Sequence, residues 1–288
     1  MLHKHARRFV SFVRWNLKTP RYIGKFFYSI TRFNKQTVCL DNYNKNDCGE
    51  LCKEFTKNSY IYIDKKFNIP ELDFTPYKGT STNTVFIDIR KYHWNEMKTL
   101  AVNILHDPEV ASCIAKYFDG KPWLWNLSLN YSEPQGDGCM IDSQKWHFDY
   151  GDTKSIHIMA YFTEIDQKSG PFTFLTGEYS RRVKRNKLVI ERFTDGELKG
   201  TLGSNILNKK RSLLGGRGDV FIADPCRLLH QGARCETQRV VMFMSFTNIS
   251  PMTILPKKYS LSKDQRMELY EMYKEGENKK VFKKDFFV

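Results

Sequence analysis

No stretch of the 288-residue sequence approaches the run of about 18 uncharged apolar residues that spans a bilayer, so no membrane-crossing helix is expected. A signal-peptide core is missing as well: between Arg8 and Arg14 only Phe9 to Val13 run without charge, and Lys18, Arg21 and Lys25 follow quickly. Secretion is therefore not expected. Cysteines are few and odd in number, seven in all, and no two pairs are spaced like a zinc ribbon. That speaks against a disulfide framework and for a reducing, cytoplasmic setting. Acidic residues are absent from the first forty positions, which carry nine Lys or Arg. Internal repeats and low-complexity segments are absent too.

Apolar mass is plentiful, with 41% hydrophobic and 14% aromatic residues, enough for one sizeable core. The organisation expected is a basic amphipathic segment at 1–40, a catalytic domain at 41–260 with a basic insertion at 181–213, and a C-terminal helix with a basic tail at 261–288. Lys plus Arg number 46 against 32 Asp plus Glu, a net charge of +14. Such an excess implies an acidic partner: phosphate-bearing lipid, nucleic acid or anionic sugar. No nucleic-acid motif is recognised, so nucleic acid is not the expected partner. On a helix Phe9, Val10, Val13 and Leu17 form one apolar stripe beside Arg7, Arg14, Lys18 and Arg21. Residues 1–36 can thus lie on an anionic membrane. A helix packed on the domain and an Arg-rich mitochondrial presequence are the other readings of the same pattern.

The spacing predicts helix over 95–119, with Asp107-Pro108 as a cap and first turn and Gly120 as the stop. Alternation then sets in, with Trp123, Trp125, Leu127, Leu129 and Tyr131 on one face and Asn126, Ser128 and Asn130 on the other. Further strands are expected at 155–163, 171–175, 219–222 and 239–247, and a capped helix from Ser262 through Tyr273. Helices followed by many short strands predict a mainly β fold with flanking helices, an antiparallel barrel or jelly roll.

Trp146-His147-Phe148-Asp149 puts a histidine and a carboxylate two positions apart, so on an extended segment both leave the same face and can grip one ion. His230, just after the apolar 219–222 segment and a turn at Pro225, is the candidate third ligand. Two histidines and one carboxylate leave three positions open, the arrangement of non-haem iron(II) oxygenases. Arg239 offers a planar two-pronged match to a carboxylate. His157 could face the same pocket, although a core histidine is the commoner outcome; His93 and His106, in the helical region, read as structural.

Trp146 to Asp149, then Ala160-Tyr161-Phe162-Thr163 through Lys168-Ser169-Gly170-Pro171, then Thr176-Gly177, then Gly218-Asp219-Val220-Phe221 to His230 and Arg239, together resemble the phytanoyl-CoA dioxygenase family over residues 123–247. The resemblance implies a double-stranded β-helix (cupin-like), an Fe(II) ion on His147, Asp149 and His230, and 2-oxoglutarate on Arg239, with O2 as the other co-substrate. Asn130 and Gln144 resemble family positions that touch 2-oxoglutarate. Thr176-Gly177-Glu178-Tyr179 stands where the family usually has Pro-Gly-Ser-His. Family halogenases replace the carboxylate by a small residue; Asp149 is present, so hydroxylation is implied. Charge then directs the choice of substrate toward an anionic molecule, possible at a membrane surface: Kdo of a lipid A precursor is one candidate, an acyl-CoA or small soluble metabolite another. An inactive scaffold that binds anionic membrane or nucleic acid is the competing class.

Overall fold

The computed structural model describes residues 49–80, 84–134, 140–149, 154–186, 192–232, 234–248, 259–276 and 281–287. The amphipathic segment expected at 1–36 lies outside the described residues.

Nine strands are described: β1 (Tyr60–Ile63), β2 (Ile87–Asp88), β3 (Pro122–Ser132), β4 (Ile156–Tyr161), β5 (Thr173–Leu175), β6 (Lys210–Ser212), β7 (Val220–Ala223), β8 (Leu229–Gln231) and β9 (Arg239–Asn248). They form a six-stranded sheet, β1-β7-β4-β9-β3-β2, and a three-stranded sheet, β6-β5-β8. Every pairing is antiparallel. The bridge His147↔His230 adds the segment before Asp149 to the open edge of the small sheet. From β3 onward the chain visits large sheet, small (at His147), large, small (β5), small (β6), large, small, large. That alternation winds two sheets around one interior and defines the expected double-stranded β-helix.

Among the described residues seven α-helices accompany the sheets: α1 (Glu50–Asn58), α2 (Trp94–His106), α3 (Pro108–Tyr117), α4 (Gly177–Asn186), α5 (Asp195–Leu202), α6 (Lys263–Glu275) and α7 (Lys284–Phe287). The Asp107 carboxylate accepts from the Glu109 and Val110 amides, and Pro108 takes the first turn, where its missing N–H costs nothing. This cap divides the expected 95–119 helix into α2 and α3. Ser262 and Gln265 close a reciprocal capping box on α6, as their spacing predicts.

Apolar side chains of α1, α2, α3, α6 and α7 cover one face of the large sheet, contributed by Leu127, Leu129, Tyr131, Ile156, Ile158, Val220, Ile222, Val240, Met242, Met244 and Phe246. Burying each of those leucines contributes roughly 1.5–3 kcal/mol. The residues between them point into the space between the sheets, because successive strand side chains alternate. One expectation fails here. The register of β3 on β9 skips between Leu124 and Asn126, so a bulge inserts one residue and Leu124, not Trp123 or Trp125, shares the helix-facing core with Leu127.

The 181–213 insertion begins inside α4, which opens at Gly177 in the Thr176-Gly177-Glu178-Tyr179 segment, and continues through α5 and a 3-10 turn, Ser204–Lys209. Its end is β6, an edge of the small sheet, so part of the insertion belongs to the β-helix itself.

Candidate metal centre

The small-sheet edge places the two histidines by main-chain bonding. His147 N–H donates to His230 O at 2.8 Å and His230 N–H donates to His147 O at 2.9 Å, so the two side chains leave the same face as direct cross-strand neighbours. Their ring centroids are 4.2 Å apart. Asp149 follows two residues after His147, with its N–H on Pro225 O at 3.0 Å. Asp149 Oδ1 lies 3.7 Å from His147 Nε2 and 3.8 Å from His230 Nε2. One ligand atom from each of the three residues lies within 4.8 Å of the others.

Backbone carbonyls set the tautomers. His147 Nδ1 donates to Lys145 O at 2.7 Å and His230 Nδ1 to Leu228 O at 3.1 Å, which leaves both Nε2 lone pairs turned toward Asp149. Phe172 stacks on the His230 ring at 4.7 Å. Burial, together with the neighbouring His147 ring, holds the His230 pKa down to about 3. Burial also lowers that of His147, against the opposing pull of Asp149. For Asp149 burial acts upward, but the His157 hydrogen bond and the three imidazoles outweigh it and hold the carboxyl below its usual range. At neutral pH the centre is therefore two neutral imidazoles and one carboxylate.

Such a donor set fits a divalent first-row ion. Ligands bonded at about 2.0–2.2 Å at right angles to one another lie about 3 Å apart, so each of the 3.7 and 3.8 Å gaps between Asp149 and a histidine closes on an ion with a contraction of under ~1 Å. Three ligands on one face leave the opposite face for exogenous ones.

Arg239, first residue of β9, is buried; its Nη1 donates to Gly170 O and its Nε has no partner among the described residues. Asn130 is buried on β3 with its Oδ1 likewise without a partner. Gln144 is buried too, but its Oε1 accepts from Ile141 N–H at 2.9 Å, which closes the turn leading into the motif. Arg234 joins that turn to α5, donating from Nε to Gln144 O at 2.7 Å and from both terminal nitrogens to Asp195 at 3.0 and 3.1 Å.

His157 stands closer to the centre than a core histidine would. Its Nε2 donates to Asp149 Oδ2 at 3.1 Å. Strand parity held the signal: His157 falls between Ile156 and Ile158, both of which pack on the helices. His93 bonds the Tyr77 hydroxyl and His106 the Tyr273 carbonyl, both away from the triad.

No family model matches the chain, and no curated protein matches it. Among solved structures it is similar to the apo form of EctD from S. alaskensis, with 13% identity over 80% of this chain and 89% of that one and a TM-score of 0.47. It is also similar to the α-ketoglutarate-dependent epimerase SnoN of nogalamycin biosynthesis (12% identity, 75% and 95% covered, TM-score 0.44). A third is EvdO2 from Micromonospora carbonacea var. aurantiaca, complexed with 2-oxoglutarate (13%, 74% and 97%, TM-score 0.43).

Proposed function

We propose that this chain is an Fe(II)- and 2-oxoglutarate-dependent oxygenase of the phytanoyl-CoA dioxygenase type that hydroxylates a C–H bond of an anionic substrate. The observation that carries this reading is the convergence of His147 Nε2, His230 Nε2 and Asp149 Oδ1, with both imidazoles neutral and both tautomers set for an ion. Iron bound there with 2-oxoglutarate and dioxygen supplies the conversion of C–H to C–OH, one oxygen atom going to the product and the other to succinate, with release of carbon dioxide.

The chain's own residues bind and orient. His147, Asp149 and His230 hold the ion on one face. Arg239 pairs with the far carboxylate of 2-oxoglutarate through its guanidinium fork, exchanging its bond to Gly170 O for a charged partner. Asn130 adds a polar contact from β3, and Gln144 adds one beside the motif while capping the 141–144 turn. The apolar cluster of Met159, Tyr161, Phe172, Phe174, Phe221 and Val241 keeps water out of the interior.

The anionic character of the substrate rests on net charge and on exposed Arg181, Arg182, Lys199, Lys209, Lys210 and Arg211 in and around the insertion. Kdo on a lipid A precursor is the first candidate to assay, with residues 1–36 as its membrane contact; an acyl-CoA is the second. The test is iron uptake and succinate release by the wild-type chain and by His147→Ala. Iron-dependent succinate release by the wild type alone supports the reading. A wild type that neither takes up iron nor releases succinate is a scaffold.

A further inference from the structure

The large sheet's inner face changes character along its strands. Asn126 pairs with Ser245, and Ser245 with His157, in one row across β3, β9 and β4. The next row is Ser128, Phe243 and Met159; the one after is Asn130, Val241 and Tyr161. Toward the third row the interior is filled by the apolar cluster around Tyr161 and Phe174. The first row is wholly polar: Asn126 is 7% exposed and Ser245 1%, both buried, and His157 is half-buried with its side chain 14% exposed.

Hydrogen-bond accounting within this row does not close. Asn126 Nδ2 lies 3.4 Å from both Ser128 Oγ and Ser245 Oγ, while Asn126 Oδ1 is buried with no partner among the described residues. His157 Nε2–H donates to Asp149, and among the described residues its Nδ1 is likewise buried without a partner. Buried polar groups are normally paired, and one left unpaired is costly. Asn126 and His157 flank Ser245 from the two neighbouring strands, so their side chains stand about 9–10 Å apart at ordinary strand spacing. The row reaches the candidate metal centre directly through the His157 to Asp149 bond.

We infer that Asn126, Ser128, Ser245 and His157 form the substrate-docking ledge of this centre, and that it takes a hydroxyl-bearing ligand portion, a polyol or sugar. This inference rests on the oxygenase reading of the triad. A polyol carries several hydroxyls, each of which donates once and accepts, so two of them satisfy the two open acceptors, one at Asn126 Oδ1 and one at His157 Nδ1, and others meet the serine hydroxyls. A phosphate or carboxylate would face two acceptors with no cation in the row. An alkyl chain would leave both acceptors buried and unmet. The anionic part of the substrate accordingly lies off the ledge.

The test uses the full chain with Fe(II) and 2-oxoglutarate and reads succinate release with free Kdo, a Kdo-bearing lipid A precursor, sorbitol, octanoate or inorganic phosphate added. At least one hydroxylated probe is expected to accelerate release; free Kdo against the lipid distinguishes a soluble from a membrane source. Asn126→Leu is expected to raise the KM of that probe ~10-fold, the scale of one lost hydrogen bond, whereas Asn126→Asp, which keeps an acceptor in place, stays within ~3-fold of wild type. Thermal unfolding confirms that both variants are folded; an unfolded Asn126→Leu passes the comparison to Ser245→Ala and Ser128→Ala, with the same expected rise. Acceleration by octanoate alone, no acceleration by any probe, or equal KM values across folded variants would overturn the ledge. Absence of iron uptake by the wild type would instead overturn the oxygenase reading.

Discussion

His157 divides the labour of the Asp149 carboxylate: it holds Oδ2 at 3.1 Å and leaves Oδ1 facing the Nε2 atoms of His147 and His230 at 3.7 and 3.8 Å. An unheld carboxylate rotates and samples two-oxygen binding; a held one presents a single oxygen. Partners that orient metal ligands in this way are typically worth 10–100-fold in affinity. His157→Phe is therefore expected to weaken Fe(II) binding by about 10-fold or more, with His157→Gln partly restoring it because the amide can donate. Titration with Fe(II) under anaerobic conditions reads both, and unchanged affinity in a folded His157→Phe would remove His157 from the centre.

The ligands and the arginine should separate cleanly. Asp149→Ala or His230→Ala is expected to abolish iron binding. Arg239→Ala should leave iron affinity near wild type and raise the 2-oxoglutarate KM by about 10–100-fold, the range of one charge-assisted bond. Loss of iron binding in Arg239→Ala would mean that the residue supports the centre and not the co-substrate.

Acid should loosen the metal-free protein earlier than carboxylates alone predict. His230 has a pKa of about 3 when folded against 6.5 when exposed, and His147 is lowered too, so between those values the unfolded chain binds more protons. Stability is complete above pH ~6.5 and falls as pH drops toward 3, with a slope of up to ~1.4 kcal/mol per pH unit for each histidine. Asp149, depressed in the fold, adds its own loss below its ordinary range. Denaturant unfolding of the metal-free chain from pH 7.5 to 4.5 checks the sign; a flat profile contradicts it.

Gly170 adopts φ +64°, and a Cβ there would stand 2.7 Å from the Arg234 amide nitrogen, while its carbonyl receives Arg239. Gly170→Ala should cost at least ~2 kcal/mol from the left-handed backbone and the main-chain clash together. It should also raise the 2-oxoglutarate KM, since the arginine's support moves. Denaturant midpoints and co-substrate titration measure the two effects separately.

The triad was legible because two-residue spacing on extended chain has one geometric consequence, and His147 and Asp149 obey it. Strands β3, β4, β5, β7 and β9 were legible from their apolar patterns and the turn residues between them, whereas the short β1, β2, β6 and β8 were not; Asp107 and Ser262 announced their helices. The bulge at Trp125 was not: an extra residue in one strand is defined by its partner, here β9, and nothing in β3 alone marks it. Everything that depends on register was hidden with it, including the Asn126, Ser245 and His157 row, drawn from three strands, with Asn126 and Ser245 lying 119 residues apart in the chain. Gln144 carried no sign that its side chain would close its own turn.

The reciprocal pair of main-chain bonds between His147 and His230 makes those two ligands a stiff jaw. Each ring is also tied to the carbonyl two residues before it. Adjustment to an incoming ion then falls to the third ligand, whose carboxylate can swing about its own side-chain torsions without disturbing a strand. In the proposed iron site His147 and His230 would form the fixed face of a vice and Asp149 the sliding one that adjusts to ionic radius, with His157 setting how far it travels.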